Sequence, residues 1–137
     1  GPRVELGASL PDGLETLAMF PARLQVKRGT VVTFFMSRFT RETHTAGFGP
    51  KDYLKALANA FIGPQGQLDA RDVFPSSPGS IVLTPHSHGN GFANTGALDR
   101  DSSTPLVPAN KIDFTKPGVY HFICLIHPFM RGVVVVK

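Results

Sequence analysis

The chain reads as an all-β protein, a two-sheet sandwich with Greek-key connections, one inserted helix and long loops. Three observations predict this. Short runs rich in β-branched and aromatic residues recur along the chain and are separated by turn residues. Gly (14) and Pro (12) are abundant, Phe (11) is heavily used and Trp is absent. A single stretch carries helical rather than alternating periodicity.

In order, Arg23 to Val26 alternates weakly, Gly29 makes a tight turn, and "VVTFFMS" (Val31 to Ser37) is a second strand. "THTAGF" (Thr43 to Phe48) is a short strand stopped by Gly49-Pro50. "KDYLKALANAFI" (Lys51 to Ile62) places Tyr53, Leu54, Leu57, Ala58 and Phe61 on one helical face. Pro50 fits its first turn and Gly63-Pro64 its end. Residues 63 to 80 carry turn chemistry, and "SIVLT" (Ser80 to Thr84) is a short strand. Residues 85 to 110 form a long polar loop, the kind that carries function in compact domains. "KIDFT" (Lys111 to Thr115), "VYHFICLI" (Val119 to Ile126) and "GVVVVK" are the closing strands. No repeat or low-complexity tract interrupts them.

The 137 residues suit one domain with a substantial core. The formal charge is +4, but the basic residues are scattered and no nucleic-acid motif is present, so nucleic acid is not expected as a partner. No apolar stretch is long enough to span a bilayer. Gly1-Pro2 has the form of a cleaved affinity-tag scar, so the missing leader or anchor carries no information about the native chain.

A single cysteine excludes an internal disulfide and leaves a thiol that is buried, reactive or metal-bound. It sits in "FICLIHPFMRG", where Cys124, His127 and Met130 follow a C-x2-H-x2-M spacing. Alone, these residues also describe a structural cysteine beside a surface histidine and a core methionine. As a set they are a thiolate, an imidazole and a thioether, and Pro128 turns the chain between them. Copper cycling between Cu(I) and Cu(II) is served by two imidazoles, one thiolate and a weak axial thioether. Zinc fits less well, since thioether is a poor zinc ligand. One cysteine is too few for an iron–sulfur cluster.

The second imidazole must come from elsewhere. His121 lies an odd number of residues from Cys124 in an alternating strand, which turns it to the opposite face. His86 and His88 lie two apart on the polar loop and form a candidate accessory metal pair. Their plainer reading is two solvated loop histidines. His44, flanked by threonines after the longest early strand, is the best candidate.

"GVYHFICLIHPFMRGVVVV" resembles the C-terminal signature of the plastocyanin/amicyanin group of cupredoxins, the "HPFM" word being similar to amicyanins. "ETHTAGFGP" resembles the upstream histidine segment of bacterial plastocyanin-like proteins. The resemblance covers about residues 23 to 48 and the last 25 or so. It implies one type 1 (blue) copper ion, with His44, Cys124 and His127 as equatorial ligands and Met130 as the axial one. It implies a carrier of single electrons, with the electron entering near His127 through an apolar patch that includes Pro128 and Phe129. The apolar Leu125, Ile126 and Phe129 are expected to favour Cu(I) and raise the potential. Arg38, Arg41 and Arg131 are candidates for a basic rim that steers an acidic redox partner.

Two departures stand out. Thr45 occupies a position where many members have Asn; Thr keeps the backbone bond toward the sulfur and changes the side-chain bond. Residues from about 51 to 110 are an elaboration whose role the resemblance does not give. A closed four-ligand site leaves no position for substrate and no nucleophile constellation is visible, so enzymatic activity is not expected. The alternatives are a copper-binding or copper-handling protein, or a cupredoxin domain of a larger secreted or membrane-anchored protein. The implied location is periplasmic or otherwise extracytoplasmic, in a bacterium, with a membrane anchor as an option.

Overall fold

The computed structural model describes residues 1–79, 81–84 and 92–137. The chain runs β1 (Arg3–Ser9), β2 (Glu15–Phe20), β3 (Arg23–Val26), β4 (Thr30–Met36), β5 (Gly47–Phe48), α1 (Lys51–Asn59), α2 (Ala70–Val73), β6 (Ile81–Leu83), β7 (Ala93–Asn94), β8 (Ala109–Phe114), β9 (Gly118–Ile123) and β10 (Arg131–Val136). These strands build two five-stranded sheets. The first has the order β2-β1-β4-β8-β6 and the second β3-β10-β9-β5-β7. Each sheet mixes early and late strands, so the chain crosses between layers. Three pairings are parallel: β1 with β4, β3 with β10, and β6 with β8.

Alternation decides which side chains meet between the sheets. In β4, Val32, Phe34 and Met36 point inward; in β9, Tyr120 and Phe122 do so. Aromatic rings dominate the seam. Phe34 of the first sheet meets Phe48 and Phe122 of the second edge-on, with centroids 5.6 and 5.5 Å apart. Phe114 and Tyr120 repeat the arrangement at 5.3 Å. Such pairs contribute about 0.5–1.5 kcal/mol each beyond the area they bury, which accounts for the heavy use of phenylalanine.

Several expectations change. The first 22 residues, to which the sequence patterning assigned nothing, supply β1 and β2. Gly7 stands in β1 with φ at +70°, where the register with β2 shifts between Leu6 and Ala8. That bulge breaks the alternation that would have marked a strand. The helix stops at Asn59 rather than Ile62, because the chain then folds into a tight hairpin in which Ile62 bridges Leu68 and the Gly63 N–H donates to Gln67 O at 2.7 Å. Residues 63–80 are not all loop: Asp69 caps the short α2, its side chain accepting from Arg71 N. The expected strand Thr43 to Phe48 forms a ladder only at Gly47–Phe48.

Helix α1 packs beside the sandwich, whereas β6 and β7, further along the same stretch, are edge strands of its two sheets. Leu54 and Leu57 of α1 form a second small core with Leu125, joined by Phe61, Phe92 and Ile123. Among the described residues, no helix is long and apolar enough to cross a membrane.

Candidate metal centre

The site is built from the end of β9, the loop that joins it to β10, and the stretch before β5. Cys124 follows the last residue of β9. Its N–H donates to Met130 O at 2.9 Å, and Met130 N–H donates to His127 O at 2.8 Å. These two bonds close residues 124–130 into a tight loop that returns directly to the antiparallel pairing of Arg131 with Ile123. The strand end, turn and strand start expected from the sequence are the geometry observed.

His44 arrives from the other side without a strand to carry it. An isolated bridge holds it instead: His44 N–H donates to Leu98 O at 3.3 Å and Leu98 N–H donates to His44 O at 2.8 Å. Thr43 Oγ1 donates to Asp99 Oδ2 at 2.8 Å, and Ala46 N–H donates to Thr95 Oγ1 at 2.9 Å. Thr95, Leu98 and Asp99 therefore brace the histidine from the stretch between β7 and β8. Sequence reasoning missed all three. They carry no metal-binding signal, only the character of an ordinary loop.

Three donor atoms converge. His44 Nδ1 lies 3.9 Å from Cys124 Sγ, His127 Nδ1 lies 3.7 Å from the same sulfur, and the two Nδ1 atoms are 3.2 Å apart. All three residues offer ligand atoms within 4.8 Å of one another. Cys124 and His44 are wholly buried and His127 is partly so. Met130 is buried in the same core cluster as Cys124. His121 is exposed on β9, as the alternation predicts. His86 and His88 lie outside the described residues.

The polar surroundings prepare these atoms for a metal. Burial foremost, and the neighbouring His127 after it, lower the His44 pKa from 6.5 to about 4, against an opposing pull from Glu15. The ring is thus neutral, with a free lone pair, near pH 7. Burial raises the Cys124 thiol, while N–H groups around it, that of Thr45 foremost, pull the other way. Thr45 N–H points at Sγ from 3.4 Å, and Thr45 Oγ1 accepts from Leu125 N–H at 2.9 Å. Thr45 and Leu125 are accordingly tied into the site.

His127 is the ligand candidate nearest solvent, its side chain 19% exposed. Its Nε2 lies 3.9 Å from Glu42 Oε2. Phe129 stands with its ring centroid 6.1 Å from the His127 ring and is 66% exposed, and Pro128 is exposed beside it. Phe129 is therefore a surface residue, not core packing. Both line an open, largely apolar groove of about 990 Å³ between α1 and the outer face of the second sheet, with Lys51, Lys55 and Arg131 also lining it. Arg38 and Arg41 are exposed as well.

The donor set suits a soft or borderline metal. Two imidazoles and one thiolate, with sulfur held by backbone N–H groups, fit copper better than a hard oxygen-seeking cation.

No family model matches the chain. A segment of 53 residues is 36% identical to Amicyanin-alpha of Methylorubrum extorquens, covering 36% of this chain and 44% of that protein. The match thus spans less than half the length of that curated relative. Among solved structures, amicyanin from Paracoccus versutus superposes with a TM-score of 0.56 at 17% identity, covering 100% of this chain and 81% of that one. A reduced Cu(I) amicyanin mutant at pH 4 gives 0.57 at 18% identity, covering 100% and 82%. Sheet order and these superpositions agree: the chain shares the two-sheet β-sandwich fold of amicyanin.

Proposed function

We propose that the protein carries single electrons between redox partners through one type 1 copper ion, which His44, Cys124, His127 and Met130 would hold. The observation that carries this reading is the convergence of one sulfur and two Nδ1 atoms in a pocket where Thr45 N–H already faces the sulfur. Bound copper supplies the one-electron couple between Cu(I) and Cu(II). The chain's part is to hold the donors still. The closed 124–130 loop fixes Cys124, His127 and Met130, and the Leu98 bridge fixes His44. Ligands fixed by backbone bonds on both sides of the site leave little to rearrange when an electron arrives.

His127 is the proposed route for the electron, being the donor nearest solvent. Pro128 and Phe129 form the apolar contact, and Lys51, Lys55 and Arg131 favour an acidic partner protein. The reading makes the protein a carrier and not an enzyme, because four ligands close the coordination. It also takes residues 1–137 as one domain in which 51–110 are an elaboration, working outside the cytoplasmic membrane of a bacterium.

Voltammetry of the copper-loaded protein tests the carrier role. A reversible one-electron wave is expected, with a partner reaction that slows as ionic strength rises. Stable uptake of Cu(I) with no reversible oxidation would instead favour a copper-handling role.

A further inference from the structure

Two polar atoms near the site are buried with no hydrogen-bond partner among the described residues: His44 Nε2 and Glu15 Oε2. Backbone geometry brings their residues to the same end of the first sheet. A Cβ at Gly7 would stand 2.4 Å from His44 Nε2, so the far edge of the ring rests on the β1 bulge. Two residues further along β1, Ser9 pairs with Glu15 of β2, and its hydroxyl donates to Glu15 Oε1. The same oxygen accepts from Arg41 N–H at 3.4 Å, in the segment that leads into His44. One carboxylate oxygen is thus fixed by β1 and by the approach to the histidine. The other, Oε2, is buried without a hydrogen-bond partner among the described residues. The Glu15 charge is felt at the His44 ring, where it opposes the effect of burial.

We propose that Glu15 is the positioning residue of His44: Glu15 Oε2 accepts the His44 Nε2–H, with at most one buried water between them. Each orphaned atom then has the partner that buried polar groups require. The bond fixes the tautomer. With the proton on Nε2, His44 Nδ1 presents a bare lone pair toward Cys124 and His127. In the metal-free protein, His127 Nδ1–H then donates to His44 Nδ1 across their 3.2 Å separation. A carboxylate behind a ligating imidazole also raises its basicity. On the copper reading, which this last step rests on, Glu15 favours Cu(II) and lowers the potential. It works against the apolar Leu125 and Phe129.

Glu15→Gln keeps the shape and removes the charge. In the metal-free parent, nitrogen-15 NMR of the histidines is expected to show His44 protonated at Nε2, with a downfield, slowly exchanging proton. In the variant that proton moves upfield and exchanges faster, since a neutral acceptor bonds less strongly. In the copper-loaded pair, Cu(II) affinity is expected to fall about tenfold or more. With Cu(I) affinity unchanged, each tenfold loss raises the potential by about 59 mV. Ser9→Ala, which frees the carboxylate from its hydroxyl donor, gives a smaller shift in the same direction and serves if the first variant does not fold. His44 protonated at Nδ1 in the metal-free parent would overturn the proposal. So would an Nε2–H signal identical in folded parent and variant. A parent that takes up no copper defeats the copper reading alone, and the tautomer still decides the role of Glu15.

Discussion

Thr45 Oγ1 accepts a hydrogen bond from the Leu125 backbone N–H at 2.9 Å, joining the two halves of the site across 80 positions of sequence. The same residue directs its own N–H at Cys124 Sγ. One threonine thus ties the histidine segment to the cysteine loop through both backbone and side chain. Thr45→Val keeps the shape and the backbone donor but leaves the buried Leu125 N–H unpaired. The expected cost is about 1–3 kcal/mol, read as a lower midpoint in denaturant unfolding. Thr45→Asn is expected to restore most of it.

Gly7→Ala is expected to damage the site from behind. The new Cβ would stand 2.4 Å from His44 Nε2, and the backbone at φ +70° disfavours any side chain. The left-handed conformation alone costs about 1–2 kcal/mol. Displacement of the ring adds a loss of metal affinity, measurable by competition with a chelator. Gly13→Ala, also at positive φ but with open space around it, is expected to lower stability while leaving metal affinity intact.

Metal uptake near pH 7 is expected to release a proton from Cys124. Burial holds the thiol above its usual value, so it is protonated before binding, whereas His44 is already neutral. Calorimetry in buffers of different ionisation enthalpy measures the release. It is expected to drop in Cys124→Ser, and an unchanged proton count there would contradict the assignment.

Asp72 gives the metal-free protein a pH dependence of its own. Its carboxylate is buried, both oxygens lack hydrogen-bond partners among the described residues, and burial raises its pKa from 3.8 to about 6. The folded state therefore holds this proton more tightly than the unfolded state. The contribution to stability is full below about 3.8 and is lost as pH rises through about 6. Asp72→Asn is expected to be more stable than the parent above pH 6, by up to about 3 kcal/mol, with the gap opening between about pH 4 and 6. Denaturant curves of parent and variant at pH 4 and pH 8 measure it.

The late strands were legible because β9 and β10 alternate or run apolar without interruption, and Cys124, His127 and Met130 are chemically conspicuous at their junction. His44, the best candidate in the sequence, is the histidine that the fold brings beside Cys124 and His127. β1 and β2 were not, because the bulge at Gly7 breaks the pattern and most of β2 is only partly buried. The braces on His44 were equally silent. Thr95, Leu98 and Asp99 are ordinary loop residues until the fold sets them beside position 44. They give residues 95–99 a structural role, since these hold the histidine that no strand carries.

The most direct measurement is a visible spectrum on adding Cu(II) to the parent protein and to Cys124→Ser. The predicted result is an intense blue charge-transfer band in the parent, saturating at one copper per chain and absent from the variant. A parent that binds Cu(II) without that band, or a serine variant that keeps it, would contradict thiolate ligation by Cys124 and the account built on it.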